Sequence, residues 1–76
     1  MSTSHKPART STVGAVLRAA RERFLSAGIE TAGIDAELLV AHATGLTRVQ
    51  LRTRDHDELA PDTLAAVEAL TVRREA

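Results

Sequence analysis

The sequence predicts an all-α fold, a small bundle of four to five helices behind a disordered N-terminal tail. Three observations carry that prediction. Apolar residues recur at i, i+3 and i+4 in separate segments, which gathers them into stripes on a 3.6-residue helix. Stop and start signals stand between those segments, at Gly28, Thr31, Gly45, Thr47 and Pro61. No segment alternates apolar and polar residues with the period of two that a half-buried strand requires. The chain is 76 residues long, enough for one domain, expected over residues 12–76.

Residues 1–11 read as the tail, because Pro7 and the Ser/Thr cluster offer the backbone no reason to order. Ser11 or Thr12 can cap a first helix that begins at Val13. Val13, Val16, Leu17, Ala20, Phe24 and Ala27 form its apolar stripe, and Arg18, Arg21 and Glu22 lie opposite. Gly28 then stands where a left-handed C-terminal cap wants a residue without Cβ.

Thr31 is the expected cap of the second helix, with Asp35 and Glu37 near the N-terminal end of its macrodipole. At 100° per residue, Ile34, Leu38 and Ala41 make one apolar face. Leu39, Ala43, Ala36 and Val40 make a second, nearly opposite. Two narrow polar strips separate them, Asp35 with His42 and Glu37 with Thr44. A helix apolar almost all round is expected to be buried on more than one side, hence central. Gly45 ends it.

Thr47-Arg48-Val49-Gln50 has the capping-box spacing, and Val49 and Leu51 are the expected apolar contribution of a short third helix. Arg52 to Glu58 is a charged connector that Leu59 anchors, and a turn within it would supply the fifth helix. Pro61 suits the first position of the last helix, where its missing N–H costs nothing. Leu64, Val67 and Leu70 form the inward stripe of that helix. Arg73 and Arg74 suit its C-terminal end, where the pattern breaks off as in a truncation.

Composition excludes several classes. There is no cysteine, so neither a disulfide nor a thiolate metal site is available. Phe24 is the sole aromatic residue, which leaves the core to Leu, Val, Ile and Ala. Ten basic and ten acidic residues cancel, which argues against a phosphate-backbone binder and against a polybasic membrane tether. No apolar run approaches the roughly 20 residues that span a bilayer. The N-terminus lacks the apolar region of a secretory signal, so the expected location is the cytoplasm, and the expected state a monomer.

Few residues suggest chemistry. His42 and Asp35 share a strip, but two helical turns set them roughly 10 Å apart, so His42 reads as a partly exposed or core-edge histidine with a structural hydrogen bond. Asp55-His56-Asp57-Glu58 offers oxygen donors and an imidazole without calcium-loop or zinc-site spacing, and reads as a solvated turn. Arg48, Arg52 and Arg54 make a modest basic patch for RNA or an acidic protein surface. A helix-turn-helix over residues 32–53 is disfavoured by the apolar second helix and the balanced charge. No phosphate loop or nucleophile with a plausible base is present. The chain is expected to catalyse nothing and to hold neither metal nor cofactor.

The order of residues adds what periodicity cannot. Ala27-Gly28-Ile29-Glu30, then Asp35-Ala36-Glu37-Leu38-Leu39-Val40-Ala41-His42, then Gly45-Leu46-Thr47-Arg48 resembles the N-terminal domain of the PrmC/HemK family, the peptide chain release factor glutamine methyltransferases. Leu59-Ala60-Pro61-Asp62 and Leu64 to Arg74 resemble that domain's last helix. The resemblance implies a full-length parent that transfers a methyl group from S-adenosylmethionine to the glutamine amide in the Gly-Gly-Gln loop of class I release factors. It also implies that this bundle helps engage the release factor and precedes a Rossmann-like catalytic domain. The family's Asn-Pro-Pro-Tyr motif and glycine-rich cofactor loop are absent here, so no catalytic or cofactor residue carries over. Ala32-Gly33 replaces a proline followed by a longer residue, a change expected to delay or fray the second helix. The polar Arg52-Thr53-Arg54 replaces a leucine-rich stretch and enlarges the basic surface. By elimination, Arg48, Arg52 and Glu37 are the candidate partner-binding residues. A stand-alone helical interaction module and a nucleic-acid-binding bundle are the alternatives.

Overall fold

A computed structural model of the protein describes residues 12–76, so the tail expected over residues 1–11 lies outside the described residues. Four helices follow one another: α1 (Val13–Ser26), α2 (Ala32–Thr44), α3 (Arg48–Thr53) and α4 (Pro61–Glu75). The connector after α3 holds turns without a fifth helix. The largest seam lies between α1 and α2, and α2 touches all three other helices.

The N-terminus of α1 is closed by both ends of the sequence pattern around it. Thr12 Oγ1 accepts from the Ala15 N–H at 3.2 Å. The N–H groups of Val13 and Gly14 donate to the carbonyls of Asp57 and Asp55 at 2.9 and 2.8 Å. Three of the four orphan donors of a helix start are thereby satisfied. The charged connector is thus docked on α1 through its backbone, and Thr12 pairs with Glu58 in an isolated antiparallel bridge. Gly14 permits the approach, since a Cβ there would lie 3.1 Å from both Asp55 Cβ and Asp55 O.

At the other end of α1 Gly28 takes φ +82°. Its N–H reaches Leu25 O at 3.0 Å and the Ile29 N–H reaches Phe24 O at 3.0 Å. This paired closure is the Schellman motif, and Ile29 packs against the core cluster that contains Phe24. Ala27, expected in the stripe, is exposed at the cap, because the chain is already turning there.

The second helix departs most from expectation. It begins at Ala32, with no delay, and Gly33 sits against Arg21 of α1. Thr31 occupies the cap position, but its hydroxyl donates to Asp35 Oδ2 at 3.1 Å instead of accepting from the helix backbone. Burial is one-sided: Ala32, Ala36 and Val40 face inward, whereas Ile34 and Leu38 are 52% and 54% exposed. The physical reason is size. The alanine face lets α2 approach Ala20 and Phe24 of α1 closely, and four short helices leave nothing to cover the opposite face.

The capping box of α3 forms as predicted, with the Gln50 N–H donating to Thr47 Oγ1 at 3.1 Å and the Thr47 N–H donating to Gln50 Oε1 at 3.0 Å. Leu51 is buried, but Val49, its expected companion, is 71% exposed. Two residues apart on a helix point to opposite sides, and six residues can present only one of them to the core. On α4, Val67 is buried with Leu64 packed against the core and Leu70 half-buried. Thr71 is also buried, and its hydroxyl donates to Val67 O at 2.7 Å. Val13, Val16, Val40, Leu51 and Val67 form one core cluster, and Ala20, Phe24, Ala32 and Ala36 a second. Leu17 and Leu39 pack against both and join them.

Candidate partner-binding surface

Glu37 projects from the middle of α2 toward α3, and Gly45 makes that meeting possible. Its φ of +77° turns the chain back so that α3 runs beside α2. Arg48, the first residue of α3, donates from Nε to Glu37 Oε1 at 2.8 Å, and its Nη2 lies 2.7 Å from the same oxygen in an ion pair. Arg52, one turn later on the same side of α3, places Nη2 3.7 Å from Glu37 Oε2. The three candidate residues therefore converge into one cluster, in which a single carboxylate faces two guanidinium groups. Arg52 is the looser partner, its side chain 78% exposed against 55% for Arg48. The cluster keeps one positive charge in excess, carried outward on Arg52.

Arg54 does not join it. It lies beyond α3, where with Asp57, Glu58 and Thr63 it borders a hollow of about 240 Å³ near the start of α1. His42 is exposed on the outer side of α2 and does not pair with Asp35. Asp35 is engaged elsewhere, by Arg74 at 2.7 Å. This pair is one of a set that fastens the end of α4. Arg23 of α1 reaches Glu75 at 2.7 and 3.0 Å and Glu68 at 2.8 Å. The hydrogen bonds to Glu75 and then Glu68 raise Arg23 still further above an already high pKa. Its charge therefore persists throughout the pH range in which the carboxylates are ionised.

His56 stacks its Nδ1 3.1 Å from Asp55 Oδ1 in full solvent exposure, and among the described residues no group of three or more His, Cys, Asp or Glu side chains could hold a metal ion. An apolar groove of about 380 Å³ runs between α1 and α4, lined by Val16, Ala19, Ala20, Leu64, Val67 and Thr71, with Arg23 and Glu68 at its edge. Its buried hydroxyl, on Thr71, already donates to the backbone. Among the described residues no helix is long and apolar enough to cross a membrane.

The sequence drew attention to Glu37, Arg48 and Arg52 separately; that they meet was not visible, because the pairing depends on the angle set at Gly45. The fastening of α4 by Arg23 was missed. Its only sequence signal is an acid, Glu75, in the last turn of a helix, where the macrodipole disfavours it. The sequence pattern of a family described as the PrmC N-terminal domain matches residues 15–76. No curated protein and no solved structure matches.

Proposed function

The chain belongs to the PrmC N-terminal domain family, and on that premise we propose that it is the substrate-recognition part of a release factor glutamine methyltransferase. The observation that carries the reading is the family match, which covers all of α2, α3 and α4 and nearly all of α1. In this reading a second domain of the parent binds S-adenosylmethionine and methylates the Gly-Gly-Gln glutamine of a class I release factor, in the cytoplasm. The bundle, a monomer, supplies binding energy remote from the reacting amide, which an enzyme can use to orient its substrate. No residue of this chain is assigned to the cofactor or to the chemical step.

Glu37, Arg48 and Arg52 are the contact residues in this proposal. Glu37 holds the two guanidinium groups on one edge of the bundle, and the excess charge on Arg52 favours an acidic patch on the partner. The arrangement suits a protein better than a nucleic acid, because the better-held arginine is already neutralised and one excess charge gives little phosphate affinity.

The test is a titration of the 76-residue chain against a class I release factor. Saturable binding is expected, weakened about tenfold or more by Arg48→Ala combined with Arg52→Ala, with helicity unchanged. Absence of binding by the unaltered chain would sink the recognition role. Binding indifferent to the double substitution would remove these residues from it.

A further inference from the structure

We propose that the last turn of α4 is an ionic latch, a strap that opens and closes about Thr71 while the core stays folded. Thr71 is the last buried residue of α4. After it Val72, Arg73 and Arg74 are exposed, and Glu75 is only partly covered. Val72, the one large apolar side chain of the turn, is 48% exposed and belongs to neither core cluster. What holds the turn is charge. Arg23 of α1 grips both oxygens of Glu75, through Nε at 3.0 Å and Nη2 at 2.7 Å, and donates from Nη1 to Glu68 at 2.8 Å. Arg74 donates to Asp35 of α2 at 2.7 Å. The strap is tied to α1 on one side and to α2 on the other.

Four features make the strap releasable. The first is a hinge. The Thr71 hydroxyl donates to Val67 O at 2.7 Å, and a hydroxyl bonded back to the carbonyl four residues earlier weakens and bends a helix. The second is space. The apolar groove of about 380 Å³ separates α1 from α4, with Arg23 and Glu68 at its edge, so their bond bridges a gap instead of lying on a packed seam. Releasing Arg23 also opens that edge of the groove. The third is access for salt. The side chains of Arg23, Glu68 and Arg74 are 37%, 63% and 49% exposed, and mobile ions screen charges that solvent reaches. The fourth is the position of Glu75, an acid in the last turn, where the macrodipole disfavours it. Arg23 offsets that misplacement with two parallel charge-assisted bonds, the strong geometry for a guanidinium and a carboxylate. Without Arg23 the turn carries an acid that works against it. A helix end that merely frays would not depend on a residue 52 positions away.

The test is residue-resolved amide hydrogen exchange of the 76-residue chain, with sodium chloride raised from about 0.01 M to about 1 M. Over that range the screening length falls from about 30 Å to about 3 Å. The N–H groups of Val72 to Glu75 should be protected at low salt, and their exchange should quicken about fivefold at high salt relative to that of Val67. At low salt Arg23→Gln should reproduce most of this acceleration. Adding Glu75→Gln to it should cause no further acceleration, because the partner is already gone. Exchange of the last turn that is unprotected at low salt, or indifferent to salt, overturns the latch. So does acceleration of Val67 by the same factor, which would make the opening global. Should Arg23→Gln fail to fold, the salt series on the unaltered chain decides alone.

Discussion

Replacing Leu51 and Leu38 by alanine, one at a time, sets two leucines of equal chemistry against opposite burial. Leu51 is 1% exposed and belongs to the core cluster with Val13, Val16, Val40 and Val67. Truncating it removes a fully transferred side chain and leaves a cavity, a loss of about 2–5 kcal/mol. A domain of this length has roughly 4–11 kcal/mol in total, from about 0.05–0.15 kcal/mol per residue. The melting temperature should therefore fall by about 10 °C or more, at about 4–8 °C per kcal/mol for a small domain. Leu38 is 54% exposed. About half of its burial term, at most, can be lost, and solvent fills the space, so the loss is about 1 kcal/mol or less. Thermal and urea unfolding of the 76-residue chain, followed by circular dichroism, measures both. Equal destabilisation by the two substitutions would refute the one-sided burial of α2 and restore the sequence-based expectation of a helix packed on two faces.

Three further substitutions probe the chain's turns and caps. Gly28→Ala should destabilise by about 1–2 kcal/mol in urea unfolding, purely through its left-handed backbone, because a Cβ there meets nothing within 4 Å. Gly14→Ala gains about 1 kcal/mol of helix propensity but sets a Cβ 3.1 Å from Asp55 Cβ and O. That carbonyl is fixed by the Gly14 N–H, so overpacking of about 1–3 kcal/mol should win and lower the urea midpoint. Thr47→Ala removes the capping box of α3 at a cost of about 1 kcal/mol. Hydrogen exchange should report it as lost protection at Gln50 before any change elsewhere.

How far the fold could be read from the sequence depended on whether the deciding interaction was local. Gly28 and Gly45, the Thr47 capping box, Pro61 and, Ala27 apart, the stripe of α1 act within a few residues, and each stands where it was expected. The interactions that escaped are between segments. Periodicity shows that α2 has two apolar faces, but not which one meets α1. Residue size decides that, since Ala32 and Ala36 allow a closer approach than Ile34 and Leu38. The connector from Arg52 to Glu58 looked solvated because its side chains are charged. Its side chains are largely exposed, while its carbonyls cap α1, and a backbone carbonyl leaves no signature in a sequence. Of the candidate site, the residue types were visible and their meeting was not, because Glu37 and Arg48 are eleven residues apart across a turn.

The polar strips of α2 explain how one helix can be apolar on two sides without being buried on both. Asp35 and Glu37 looked like charges placed for the macrodipole. Each instead grips an arginine of a neighbouring helix, Arg74 of α4 and Arg48 of α3. The strips are the seams along which α4 and α3 are joined to α2. Exposed ion pairs of this kind add little to global stability, but a directional contact on each side fixes how the neighbours are turned about α2. Seams at both flanks stop α3 and α4 from rolling over the outer face, which keeps Ile34 and Leu38 open. A bundle stitched this way holds α3 and α4 to the flanks of α2 and leaves the outer face of α2 to solvent.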